Sequence, residues 1–143
     1  MPIKEIFVFR HGETDWNKER RYQGHSDIPL NEEGRRQAEE LRARLESLAP
    51  QVILSSDLSR AFETAKIAAA NLKVDILPFT AYRECHLGEC EGLHKDVINS
   101  KYGPEQLERW GSIQRKDHDF RFPGGESKHE LLQRIQKGSA VPY

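Results

Sequence analysis

"FVFRHGETDWN", residues 7–17, joins a continuous apolar run to an arginine, a histidine and a glycine. The run Ile6-Phe7-Val8-Phe9 has no polar alternation. It therefore predicts a strand buried on both faces, the pattern of a parallel sheet covered by helices. In an open parallel sheet, ligands bind beyond the carboxyl ends of the strands. Arg10, His11 and Gly12 fall at such an end, so their polarity has a use there.

The chain downstream keeps the same rhythm. "LNEEGRRQAEELRARLESL" predicts a helix N-capped by Asn31, with Glu32 and Glu33 in its first turn. Ala38, Leu41, Leu45 and Leu48 share one face, and Arg35, Arg36, Arg42 and Arg44 lie mostly on a solvated one. Pro50 closes this helix. Val52-Ile53-Leu54 predicts a second buried strand. "SSDLSRAFETAKIAAANL" predicts a helix capped by Ser56 or Asp57, and Asp75-Ile76-Leu77 a third strand ending before Pro78. Strand, helix, strand, helix, strand is the βαβ order of a parallel sheet.

After Tyr82 the pattern loosens. Residues 94–101 and 104–115 predict weakly amphipathic helices, "FPGGES" a turn, and "ESKHELLQRIQK" a last helix with Leu131, Leu132 and Ile135 inward. The rhythm calls for a further strand after that helix, and the closing "GSAVPY" holds none. There is no internal repeat or interdomain linker. The reading is a single domain over residues 1–143, three-layer α/β/α with a mainly parallel sheet.

The bulk composition narrows the function classes. Net charge is −1 and charged residues make up 31% of the 143, which argues against a nucleic-acid or membrane-surface binder. Mean hydropathy is −0.77, and no apolar run approaches the ~20 residues that span a bilayer. The opening "MPIKEIF" lacks the long apolar stretch of a signal peptide. Two cysteines without a secretion signal predict reduced thiols and a cytoplasmic protein. Cys85, His86, Cys90 and His94 match no common zinc spacing, so no metal site is expected.

Three polar sites stand at the three strand ends: Arg10-His11-Gly12, Ser55-Ser56-Asp57 with Arg60 a helical turn on, and Arg83-Glu84. Right-handed crossovers bring those ends to one side of the sheet. Arg10 and Arg60 are cations whose fork geometry matches phosphate oxygens. The imidazole of His11 is a nucleophile able to attack phosphorus. Gly12 lets the backbone approach a ligand closely. The helix after the second strand offers amide donors at its N-terminus. Glu84 suits a general acid that protonates a leaving oxygen.

"FRHGETDWNKERRYQGHSDIPLNEEGRRQA" resembles the histidine phosphatase superfamily, which includes cofactor-dependent phosphoglycerate mutases, alpha-ribazole phosphatases and fructose-2,6-bisphosphatase domains. The resemblance continues in "LSSDLSRAFETA", "YRECHLGECEGL" and "FPGGES", in order and over nearly the whole chain. It implies a phosphoglycerate mutase-like fold, with His11 as the phosphohistidine and Arg10 and Arg60 on the transferred phosphoryl group. Asn17 would contact that group, Gln23 and Gly24 would line the entrance, and Glu84 would be the proton donor. No cofactor is needed, because arginines neutralise the phosphate.

One feature departs from the family. Its members carry a second histidine-glycine pair on a later strand, and the only such pair here is His11-Gly12. The resemblance therefore implies an incomplete domain, truncated before that histidine and its strand. Loss of one preorganised contact to the transition state costs a ~10²–10³-fold rate factor. An unpaired edge beside residues 6–9 invites self-association. The expected activity is hydrolysis of a small phosphorylated metabolite through phosphohistidine. Glu84 is followed by Cys85-His86-Leu87-Gly88 rather than by the extra basic residues typical of the mutases, which favours phosphatase over mutase-type phosphoryl transfer. Two alternatives differ in kind: a catalytically impaired phosphate-binding remnant, and a truncated or frameshifted product with "GSAVPY" as a foreign tail.

Overall fold

A computed structural model describes residue 3 and residues 5–138. The element order among them is α1 (Asp15–Lys18), α2 (Glu32–Leu48), β1 (Val52–Ser56), α3 (Ser59–Ala68), β2 (Asp75–Phe79), α4 (Lys95–Tyr102), α5 (Pro104–Gly111) and α6 (Lys128–Gly138). Short 3-10 turns lie at Thr80–Tyr82, Gly88–Cys90 and Arg115–Asp117. The architecture is the expected mixed α/β one, with a small parallel sheet. The "GSAVPY" tail lies, beyond Gly138, outside the described residues.

β1 and β2 pair in parallel, with Val52 opposite Asp75 and Ser56 opposite Phe79. β2 runs through Pro78, where the sequence predicts a stop. Proline has no amide proton to give a ladder, and an edge strand tolerates it on its outer side. Burial is also lighter than predicted: β1 is half-buried, and Leu77 of β2 is exposed.

The first predicted strand is corrected. Residues 6–9 join no ladder, and the one sheet among the described residues has two strands. Ile6 is 74% exposed and Val8 88%, with Phe7 and Phe9 exposed as well. An apolar run expresses a need for burial, but strand structure also requires a partner for its amides and carbonyls. β1 found one in β2, and the described residues offer none to Ile6–Phe9.

α2 is as predicted. The Asn31 Oδ1 accepts from the amide of Gly34 at 2.8 Å. Ala38 and Leu45 are buried, whereas Arg35 and Arg36 are exposed and pair with Glu63, Glu33 and Glu40. α3 is capped differently. Its first residue is Ser59, and the carboxylate of the distant Asp27 accepts from Ser59 N at 2.8 Å and from its hydroxyl at 2.9 Å. Ser56 accepts from the amide of Leu58. Two of the helix-start amides predicted for a ligand, those of Leu58 and Ser59, are thus used by the protein itself.

Two apolar clusters support the chain. Leu45, Ala68 and Ala69 pack with Leu41, Ile53, Leu72, Val74 and Ile76 between α2, α3 and the sheet. Cys85, Leu87, Cys90, Ile98, Phe120 and Phe122 form the second, with Trp110 and Leu131 against it. That cluster gives the loop-rich stretch after residue 84 a core of its own.

Candidate active site

Arg60 is the second residue of α3 and is 1% exposed. Burying a guanidinium demands partners for its donors. Its Nη1 donates to the Ser26 carbonyl at 2.8 Å, and its Nη2 to the Gly24 carbonyl at 2.7 Å and the Glu84 carboxylate at 3.1 Å. Three of the predicted site residues, Gly24, Arg60 and Glu84, therefore meet at one cation. Arg83 does not compete for Glu84; it forks onto Asp57, at 2.7 and 2.6 Å. The Glu84 side chain keeps 47% of its surface exposed, so its carboxylate faces solvent.

His11 follows the unpaired segment 6–9 and is partly buried. Its Nδ1 lies 2.6 Å from the Gly12 carbonyl. A carbonyl accepts only, so Nδ1 carries the proton and Nε2 carries the lone pair. Burial lowers the His11 pKa below its ordinary 6.5, and the charges of Arg60 and Arg10 act in the same direction against the Gly12 hydrogen bond. The imidazole is neutral at neutral pH. Arg10 itself is exposed. It joins His11, Ala38, Leu41 and Thr64 around a cavity of about 320 Å³ that does not reach Glu84.

Thr64 is the link that sequence reasoning passed over. Its hydroxyl accepts from the Gly12 amide at 3.0 Å and donates to the Arg60 carbonyl at 2.6 Å. One buried hydroxyl thus ties the histidine segment to the arginine helix. Its sequence signal was its place four residues after Arg60, on the same helix face.

Thr14 was missed too. It is fully buried and N-caps α1. Its hydroxyl accepts from the Asn17 amide, while the Asn17 Oδ1 accepts from the Thr14 amide at 3.0 Å, a reciprocal capping box. The Thr14 hydroxyl also contacts Gln23 Oε1 at 2.6 Å. Asn17 and Gln23 are thus brought to one threonine. The signal was legible as Thr-x-x-Asn.

Two glycines serve close approach. A Cβ on Gly12 would lie 2.3 Å from the Gly34 carbonyl oxygen, where the histidine segment crosses the first turn of α2. Gly24 has φ +55°, and a Cβ there would strike Glu91. Glu91 in turn accepts from the His25 amide and the Ser26 hydroxyl, shaping the turn that feeds carbonyls to Arg60.

Cys85 and Cys90 lie in the second core. Burial pushes their thiols up to about 12 and about 11. Such thiols are poor nucleophiles at neutral pH. No helix among the described residues is long and apolar enough to cross a membrane.

Fold and site together define an α/β domain in which a buried arginine, held at the carboxyl end of a parallel strand, receives a carboxylate and is tied through Thr64 to the segment that carries a neutral histidine. The model of the histidine phosphatase superfamily (branch 1) matches residues 6–140, and the chain belongs to that family. It is 46% identical over 133 residues to phosphoglycerate mutase-like protein 4 of Arabidopsis thaliana, covering 91% of this chain and 56% of that protein. It is 38% identical over 132 residues to a probable phosphoglycerate mutase, GpmB, of Cronobacter sakazakii, covering 92% and 59%. Among solved structures, a mycobacterial glucosyl-3-phosphoglycerate phosphatase complexed with VO3 aligns with a TM-score of 0.81 at 34% identity, covering 91% of this chain and 62% of that one. An alpha-ribazole phosphatase from Shigella flexneri aligns at 0.77 and 25% identity, covering 91% and 62%. The chain thus spans less than two thirds of the length of these relatives.

Proposed function

We propose that this chain carries the phosphoryl-accepting half of a phosphatase that hydrolyses a small phosphorylated metabolite through a phosphohistidine at His11. The observation that carries the reading is the pairing of a neutral, Nδ1-protonated His11 with an Arg60–Glu84 contact at 3.1 Å, tied together through Thr64.

In the first step the lone pair on His11 Nε2 attacks phosphorus. The ester oxygen departs with the phosphorus–oxygen bond electrons and takes a proton from Glu84, which enters this step as the neutral acid, its proton drawn from the solvent that its exposed side chain faces. In the second, water attacks the phosphohistidine, Glu84 takes the water proton, and inorganic phosphate leaves with His11 restored. Arg60 and Arg10 offset the negative charge of the phosphoryl oxygens. Asn17 and Gln23, steadied by Thr14, line the approach. The two buried thiols support placing this chemistry in the reducing cytoplasm.

Mutase-type transfer is the second reading, favoured by the names of the plant and Cronobacter relatives. It differs only in the acceptor, a second hydroxyl of the substrate in place of water. The test is turnover of an aryl phosphate and of a phosphoglycerate by the wild-type chain and by His11→Ala. Phosphate release from both substrates, abolished in His11→Ala, is expected. Isomerisation without release would select the mutase reading. Phosphate binding with no turnover would select a binding remnant.

A further inference from the structure

We propose that Arg134, on α6, is a positioning residue for Glu84; the inference rests on the reading of Glu84 as the general acid. Glu84 lies in a stretch with little regular structure, between the 3-10 turn at Thr80–Tyr82 and the one at Gly88–Cys90. Its side chain is half exposed, so packing does not hold it. Besides a hydrogen bond between its backbone and His25, what holds its backbone comes from the last helix.

The Arg134 guanidinium spreads over this segment. Its Nη1 donates to the Ala81 carbonyl at 2.6 Å and the Thr80 carbonyl at 3.3 Å. Its Nη2 donates to the carbonyls of Arg83 at 3.1 Å and Glu84 at 3.3 Å. The same Nη2 lies 2.5 Å from Glu126 Oε1, and Nε lies 3.3 Å from Oε2. Glu126 Oε1 also accepts from the amide of His86 at 2.9 Å, and the Glu126 amide donates back to the His86 carbonyl. The Arg134–Glu126 pair therefore grips the chain on both sides of Glu84, by carbonyls before it and an amide after it.

This arrangement uses what is particular to arginine. A planar fork with five donors can satisfy several carbonyls and a carboxylate at once, whereas a lysine ammonium has three donors at one point. An acid that transfers a proton has to sit within a fraction of an ångström of its productive position. Arg60 fixes the carboxylate end of Glu84, and Arg134 fixes the backbone end. Without the second anchor the carboxylate swings about the first.

The test compares Arg134→Gln, Arg134→Lys and Glu84→Gln on two esters, an alkyl phosphate whose leaving oxygen needs a proton and p-nitrophenyl phosphate, which needs little. Arg134→Gln is expected to lower kcat on the alkyl ester about tenfold at unchanged KM and to leave the nitrophenyl ester within about twofold. Arg134→Lys should recover part of the loss. Amide exchange at residues 83–86 should quicken in Arg134→Gln while α2 and α3 keep their protection. Should Arg134→Gln fold poorly, Glu126→Gln keeps an acceptor for His86, weakens the same clamp and should show the same split between esters, about threefold in size. A split in Glu84→Gln with none in the Arg134 and Glu126 variants overturns the positioning role alone. No split in Glu84→Gln, or no turnover that depends on His11, overturns the acid assignment and the inference with it.

Discussion

Ile6–Phe9 and Val52–Leu54 are the same kind of sequence, short apolar runs followed at once by polar residues, yet they meet different fates. The second becomes β1, with Ile53 opposite Ile76 and packed against the cluster around Leu45 and Ala68. The first stays outside any ladder, with Val8 88% exposed. The difference carries into the site. Beyond β1 stands Arg60, enclosed and bonded to two carbonyls and a carboxylate. Beyond Ile6–Phe9 stands His11, steadied mainly through the Gly12 amide on Thr64 and the close crossing of Gly12 over Gly34. One wall of the site is built on a paired strand. The other, without a strand beneath it, is tied down past the histidine, by the Thr64 hydroxyl on Gly12 and by Gln37 and Asn31 on Glu13.

The largest effect expected from this contrast is at Arg60. Arg60→Met keeps the volume but leaves the carbonyls of Gly24 and Ser26 without their donor in a buried setting. A loss of about 3 kcal/mol is expected, since removing one member of a buried polar set leaves the others uncompensated. Urea unfolding measures it. A loss below about 1 kcal/mol would mean that water replaces the guanidinium and that the wall is not rigid.

A smaller effect separates the two runs directly. Ile53→Ala should cost about 1–2 kcal/mol, a half-buried version of the usual large-to-small loss. At concentrations low enough for the chain to be monomeric, Val8→Ala should stay within about 0.5 kcal/mol. A larger cost at Val8 would show that Ile6–Phe9 is covered in solution. We propose a second copy of the chain as that cover, because exposed apolar backbone beside unpaired amides is adhesive. Sedimentation at rising concentration, with Val8→Lys as the comparison, sharpens this: wild type should associate and the variant should not.

The smallest effect is on pH dependence. The folded His11 pKa lies below 6.5, so the unfolded chain binds more protons as pH falls through that value. Stability is complete above 6.5 and declines below it, down to the folded pKa, where the penalty is full. His25, whose pKa burial also lowers, contributes in the same direction. Unfolding midpoints at pH 7.5 and 5.5 should differ more in wild type than in His11→Ala. Equal slopes would place His11 in water, with no difference between the two walls.

Much of this was legible in the order of residues. The period of apolar positions marks α2, and Asn31 before two glutamates marks its start, because capping and amphipathicity are local and depend on neighbours three or four places away. The polar clusters at the ends of β1 and β2 were legible for a similar reason: a strand followed by a polar cluster is a pattern within a few residues. Four ordered motifs pointed to the family, and the match over residues 6–140 bears that out.

What the tertiary structure alone decided is which of several polar groups meet. Glu84 stands beside Arg83 in the chain but bonds to Arg60, 24 residues away, while Arg83 goes to Asp57. The cap of α3 comes from Asp27 rather than from Ser56 or Asp57. Thr64 and Arg134 look like ordinary helix residues until the fold sets the first under Gly12 and the second over Thr80–Glu84. The fate of Ile6–Phe9 belongs here as well. A sequence states what each residue needs, a partner for a charge or cover for a methyl group. Hydrogen bonds and burial are satisfied by atoms in space, so only the packing of distant segments decides which need is met and by whom.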